Sequence, residues 1–106
     1  MSNEEFWGIG LFEGEGCIYI RKNKPQAHLF VRMTDLDVLK RFQQLFGGKI
    51  RECSPPTKEN HKQAWRWELC SKQAVKDLLN RWLPYLSERR TYFALNAIDR
   101  IDGAYF

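Results

Sequence analysis

The sequence has no long apolar run. Its 106 residues include 43% apolar positions, but these come a few at a time, which excludes a membrane-spanning helix. It lacks a basic, apolar leader: Met1, Ser2, Asn3, Glu4 and Glu5 put acid where a secretory signal needs positive charge, so the expected location is inside a cell. It has no Cys-x-x-Cys pair. Cys17, Cys53 and Cys70 are odd in number and far apart, and only His28 and His61 could join them. That argues against a structural zinc site and against a disulfide framework, and leaves three plain thiols. There is no linker and no low-complexity stretch either, so residues 1–106 read as a single domain around one hydrophobic core.

What is present is a modest excess of positive charge. Seventeen Lys and Arg against thirteen Asp and Glu give a formal net charge of +4, with an isoelectric point near 9.1. Such a balance favours a polyanionic partner without identifying one.

The order of elements follows from periodicity and punctuation. Residues 3–13 carry Phe6, Trp7, Ile9, Leu11 and Phe12 behind a Ser2 or Asn3 cap and the acidic pair Glu4 and Glu5, which predicts a short helix. Gly14, Glu15 and Gly16 are expected to break it. Strands are expected over 17–22 and 26–33, with a turn at Lys24 and Pro25. In the second, Ala27, Leu29, Val31 and Met33 alternate with Gln26, His28, Phe30 and Arg32, as a sheet with one covered face requires. Thr34 is the expected cap of a second helix whose stripe is Val38, Leu39, Phe42, Leu45 and Phe46, ended by Gly47 and Gly48.

A similar unit follows. Strands are expected over 49–53 and 62–70, around a polar loop at 54–61, and then a helix capped by Ser71 with Val75, Leu78, Leu79 and Trp82 on one face. Pro84 stops that helix, and a last one over 87–101 carries Tyr92, Leu95, Ile98 and the pair Arg89 and Arg90. The class is α+β: an antiparallel four-stranded sheet with helices on one face. Trp65, Trp67 and Trp82 share apolar faces with Leu69 and Leu79 and are read as core. Tyr105 and Phe106 carry no legible signal.

The unusual stretch runs from Gly10 to Gly16. Glu13 and Glu15 lie towards the C-terminal end of a helix, where the macrodipole is already negative. A hard divalent cation such as magnesium would relieve them; two solvated carboxylates at a helix end would fit the same residues. Gly10 and Gly14, four apart, share a face without side-chain bulk, which lets another backbone approach closely. Glycines of low helix propensity tolerated by packing would fit as well.

On the residues Gly8-Ile9-Gly10-Leu11-Phe12-Glu13-Gly14-Glu15-Gly16 the sequence resembles a diverged LAGLIDADG motif, the signature of a family of homing endonucleases. Gly8 and Ile9 replace the opening Leu-Ala, and Glu replaces Asp at both acidic places. The likeness extends to the element order, which matches an αββαββα homing-endonuclease-like fold. It extends also to Phe46-Gly47-Gly48-Lys49-Ile50 and to Leu83-Pro84-Tyr85-Leu86-Ser87-Glu88-Arg89.

The resemblance implies a site-specific, magnesium-dependent endonuclease of double-stranded DNA, acting as a homodimer. Glu15 would hold the metal and Glu13 would support it from behind. Arg89 takes the place of a basic residue, commonly Lys, and would hold phosphate charge rather than act as a general base, because a guanidinium keeps its proton. A polar residue usual near the end of the second strand falls on Met33, beside Arg32. Single-motif chains of the family pair through the motif helix, which assigns Trp7, Gly10, Leu11 and Gly14 to the dimer interface. The open sheet face would bind DNA through Tyr19, Arg21, Asn23, His28, Arg32, Lys49, Arg51, Lys62 and Arg66. Two other readings stay open: a non-cleaving DNA- or RNA-binding module of the same fold, such as a regulator or intron-splicing maturase, and an unrelated α+β dimerisation domain with surface glutamates.

Overall fold

The structure is a computed structural model that describes residues 2–53 and 62–103. The expected polar loop at 54–61, with His61, and the terminal Tyr105 and Phe106 lie outside the described residues. The elements are α1 (Asn3–Glu15), β1 (Gly16–Ile20), β2 (Ala27–Met33), α2 (Leu36–Phe46), β3 (Lys49–Glu52), β4 (Trp65–Leu69), α3 (Lys72–Trp82), a 3-10 turn (Leu83–Tyr85) and α4 (Glu88–Ile101). The strands form one antiparallel sheet in the order β1-β2-β4-β3. The fold class is the one expected from the pattern.

The helices cover one side of the sheet, and the core lies between. Ala27, Leu29, Val31, Trp67 and Leu69 face inward from β2 and β4. They meet Ile9 and Phe12 of α1, Leu39 and Phe42 of α2, Val75, Leu79 and Trp82 of α3, and Ala94, Ala97 and Ile98 of α4. Aromatic rings make the central joint. Phe42 packs edge-on against Trp67 with centroids 4.6 Å apart, and Phe12 lies 4.9 Å from Trp82. Such pairs add about 0.5–1.5 kcal/mol each beyond the area they bury. The Trp67 indole N–H donates to the Gly47 carbonyl at 2.6 Å, so the buried ring leaves no orphaned donor. Trp65 is only half-buried but packs against the same core.

Ion pairs fasten the start of α1. Ser2 caps it by accepting from the Glu5 N–H. Glu4 pairs with Arg41 of α2 at 3.4 Å and Glu5 with Arg81 of α3 at 2.6 Å.

Four expectations need correction. First, α1 does not break before Gly14 but continues through Glu15, and β1 begins at the next residue. Second, Asp35 rather than Thr34 is the N-cap of α2, and its carbonyl accepts from the Val38 and Leu39 N–H groups. Third, β4 is shorter than expected and starts at Trp65. Beyond it the Cys53 N–H donates to the Ala64 carbonyl at 3.0 Å, and the Gln63 side chain donates to the carbonyls of Cys53 and Ala64 at 2.7 and 2.9 Å, closing the hairpin end. Fourth, the buried stripe of α4 is Arg90, Ala94, Ala97 and Ile98, while Tyr92 and Leu95 are exposed. Small alanines let α4 approach the sheet closely, so the large side chains point away. Among the described residues no helix is long and apolar enough to cross a membrane.

Gly48 turns the chain from α2 into β3 at φ +88°. A Cβ there would sit 2.6 Å from the Glu68 carbonyl oxygen and 2.7 Å from the Trp67 indole nitrogen. Gly48→Ala is therefore expected to cost about 2–3 kcal/mol, from left-handed strain plus displacement of Trp67. Urea unfolding followed by tryptophan fluorescence checks this; an unchanged midpoint would contradict it.

Candidate functional site

The motif helix has two unlike sides. Gly8 is buried, and a Cβ on it would run into the Phe46 ring of α2. Gly16 packs under Phe12, whose ring would lie 2.5 Å from a Cβ at that position. By contrast, nothing lies within 4 Å of a Cβ built on Gly10 or Gly14. Those two glycines are exposed, and the partly buried Trp7 and Leu11 are the other residues expected at an interface. Trp7 lies under the Arg41 guanidinium, 3.8 Å from its carbon to the ring centroid.

The two motif carboxylates are also unlike. Glu13 bridges to the start of α4: its Oε1 accepts from the Ser87 N–H at 2.7 Å and its Oε2 from the Ser87 hydroxyl at 3.0 Å. The buried Arg90 guanidinium lies beside it, with Nε 3.9 Å from Glu13 Oε2 and the carbon 5.6 Å from the Phe12 ring centroid. Glu15, one helical residue from the strand, is exposed and makes no ion pair or hydrogen bond with any described side chain. Next to it opens a depression of about 290 Å³, lined by Gly16, Cys17, Ile18, Arg89, Arg90 and Phe93. Arg89 stands exposed at its edge, without a partner among the described residues.

The outer sheet face carries the expected basic residues, arranged by strand register. Tyr19 is opposite His28. Cys17, Phe30, Glu68 and Lys49 form the next row, and Arg32, Arg66 and Arg51 the row after it. Burial lowers the pKa of His28 from its ordinary value, Arg21 nearby lowers it further, and Glu68 pulls weakly the other way. The shift favours the neutral imidazole. Arg21 lies just past β1; its N–H donates to the Gln26 carbonyl and its guanidinium to the Gln26 side chain.

Besides Arg21, two of the expected DNA-facing residues are not on strands. Asn23 occupies the β1–β2 turn at φ +62°, a conformation its short polar side chain tolerates. Lys62 lies before β4, exposed, because the strand starts three residues later.

Three contributors went unread in the sequence. Glu68 is 6% exposed, yet sits on the outer face between arginines. Its position two residues after Arg66 was the available signal. Arg90 could have been found from its spacing to Ala94, Ala97 and Ile98, which puts it on the inner stripe of α4. Ser87 is the N-cap of α4, accepting from the Arg90 N–H, and also the anchor of Glu13.

Among the described residues no three acidic, His or Cys side chains converge as a metal cage. Magnesium needs none: it is commonly held by one or two carboxylates, its own waters and substrate phosphate oxygens. One unpartnered carboxylate beside a basic face fits that donor set. The contrast between the glutamates generates a stability test. Glu13→Ala removes two acceptors from the α4 start and the counter-charge of a buried Arg, and is expected to cost about 1–3 kcal/mol in chemical denaturation. Glu15→Ala is expected to change stability by less than about 0.5 kcal/mol. Equal effects would contradict this division.

No family model matches the chain, and no curated relative does. Solved structures do. The homing endonuclease I-CvuI, in complex with the I-CreI target in the presence of Mg with the DNA not cleaved, superposes with a TM-score of 0.73 at 19% identity, over 95% of this chain and 69% of that one. The group I intron-encoded homing endonuclease I-CeuI, complexed with DNA, gives 0.71 at 16% identity over 92% of this chain and 53% of that one. The homing endonuclease I-TnaI gives 0.68 at 20% identity over 97% and 77%. The chain thus spans about half to three quarters of the length of these proteins, and almost all of its own length has the homing-endonuclease fold.

Proposed function

We propose that the chain belongs to the LAGLIDADG homing endonucleases and that two copies form a site-specific, divalent-cation-dependent endonuclease of double-stranded DNA. The observation that carries this reading is the division of labour at the end of α1. Glu13 is consumed in holding α4, whereas Glu15 has no side-chain partner among the described residues and directly precedes Gly16, which shares a depression with Arg89. The solved structures of similar fold include DNA complexes and a structure with Mg, which supports the same substrate and metal class.

Glu15 would hold the cation. When bound, magnesium lowers the pKa of a coordinated water and polarises the phosphate as a Lewis acid. Arg89 stabilises the extra negative charge of the pentacovalent phosphate, and its fixed protonation suits that role and not proton abstraction. Arg90 and Glu13 keep the first turn of α4, and with it Arg89, in place against α1. The sheet face supplies duplex contacts through Tyr19, Arg21, His28, Arg32, Lys49, Arg51 and Arg66, with Asn23 and Lys62 reaching from its margins. Cations there reach phosphates for affinity and base edges for sequence choice.

The outward side of α1 supports the homodimer reading. Trp7, Gly10, Leu11 and Gly14 form a partly apolar face with open space over both glycines. A second motif helix can approach there to backbone distance, bringing two Glu15 carboxylates near the pair axis, one for each DNA strand.

Two experiments check the reading. Glu15→Gln is expected to reduce cleavage of a selected duplex by at least about a hundredfold with duplex affinity retained. If the parent chain binds duplex and never cuts it with any divalent cation, the non-cleaving binding module is the correct assignment. Gly10→Leu is expected to give monomers in sedimentation with the circular dichroism of the parent; a normal dimer would remove the α1 interface.

A further inference from the structure

Three arginines stand in one row across the open face. Arg32 of β2 is opposite Arg66 of β4, and Arg66 is opposite Arg51 of β3. Like charges directly opposed on neighbouring strands destabilise a sheet, so the row works against the fold that holds it. Together with Glu52 and Cys53 these arginines line an open depression of about 440 Å³. Two of them are not free to swing. Glu68, almost wholly buried, places Oε1 2.5 Å from Arg51 Nε and Oε2 3.3 Å from Arg66 Nη2. The Arg66 guanidinium also lies over the Phe30 ring at 4.6 Å. Arg32 is exposed and has no partner among the described residues.

Resting on the reading of this chain as a duplex-DNA-binding protein, we propose that Arg32, Arg66 and Arg51, with Glu68 as their positioning residue, read a short run of guanines in the major groove. The choice of guanine over phosphate turns on Glu68. A carboxylate in the middle of a cationic face lowers attraction for phosphates, which need charge but little orientation. Base readout needs a guanidinium held at a set angle, and Glu68 holds two. Arg51 is engaged through Nε, which leaves both terminal nitrogens as the fork that matches guanine O6 and N7. The spacing sets the reach: neighbouring strands are about 4.8 Å apart, so the row spans about 10 Å over its two gaps, or about three base steps of about 3.4 Å, and the three forks fall within a stretch of four base pairs. Glu52 at the rim of the same depression is an acceptor suited to the cytosine amino group of such a pair.

The test is binding selection from a randomised duplex pool, followed by titration on the enriched and scrambled duplexes at several salt concentrations. The parent chain is expected to enrich guanine at two or three positions within a stretch of four in each half-site. Arg66→Lys keeps the charge and loses the fork; it is expected to lower the guanine preference at one position about tenfold, with affinity for scrambled duplex unchanged. Glu68→Gln is expected to relax two adjacent positions together, while affinity for scrambled duplex rises and its salt dependence steepens. Arg66→Lys leaves Glu68 in place, so it reports even if Glu68→Gln lowers the folded fraction. Absence of guanine enrichment, or changes equal on enriched and scrambled duplexes, would overturn the proposal while leaving duplex binding itself intact. Failure of the parent chain to bind any duplex would overturn the functional reading, and this proposal with it.

Discussion

The direct passage of α1 into β1 at Gly16, with no loop between them, is the constraint on which the acidic end of the molecule depends. Phe12 is fully buried and its ring presses on Gly16, leaving no space for a side chain there. The helix must therefore end where the sheet begins. That geometry places Glu15 at the boundary between the helical layer and the open sheet face. A loop of even a few residues would let the carboxylate wander; a helix residue followed at once by a strand residue cannot. Glu13, two residues back, points instead towards α4 and ties its N-terminus down through Ser87.

The same helix is covered on one side and open over two glycines on the other. Its inner side meets α2 through Gly8 and the core through Ile9 and Phe12, and its start is tied to α2 and α3 by ion pairs. Its outer side carries apolar residues and glycines. Its charged residues sit at the two ends, Glu4 and Glu5 at the start and Glu13 and Glu15 at the finish. With apolar residues and glycines on both its inner and outer sides, α1 shows no clean amphipathic stripe, whereas α2 and α3 do.

Much of the architecture was legible in the sequence because alternation and helical spacing act locally. The β2 pattern placed Leu29 and Val31 inside and Arg32 outside, and the α2 stripe predicted the burial of Leu39 and Phe42. The misread positions are those where tertiary contact overrides local preference. Two glycines beside Glu15 argue for a break, but packing of Phe12 against Gly16 carries the helix through. The start of β4 lies where the Gln63 amide finds acceptors. The division between Glu13 and Glu15 was beyond local rules altogether, since it is set by a serine 74 residues away. Glu68 was similarly hidden: its face was readable, but not its burial between arginines from two strands.

The sheet order leaves β1 and β3 as outer strands. Strand β3, Lys49–Glu52, has four residues, of which Lys49, Arg51 and Glu52 are charged and exposed. A free strand edge invites another chain to add on, and short length with dense charge is how proteins refuse that invitation. Another molecule seeking to extend the ladder there would have to strip water from cations and an anion along its whole length. Sideways growth into fibrils is thus blocked on that flank, and the chain can carry many aromatic residues at high concentration without β3 becoming a template for aggregation.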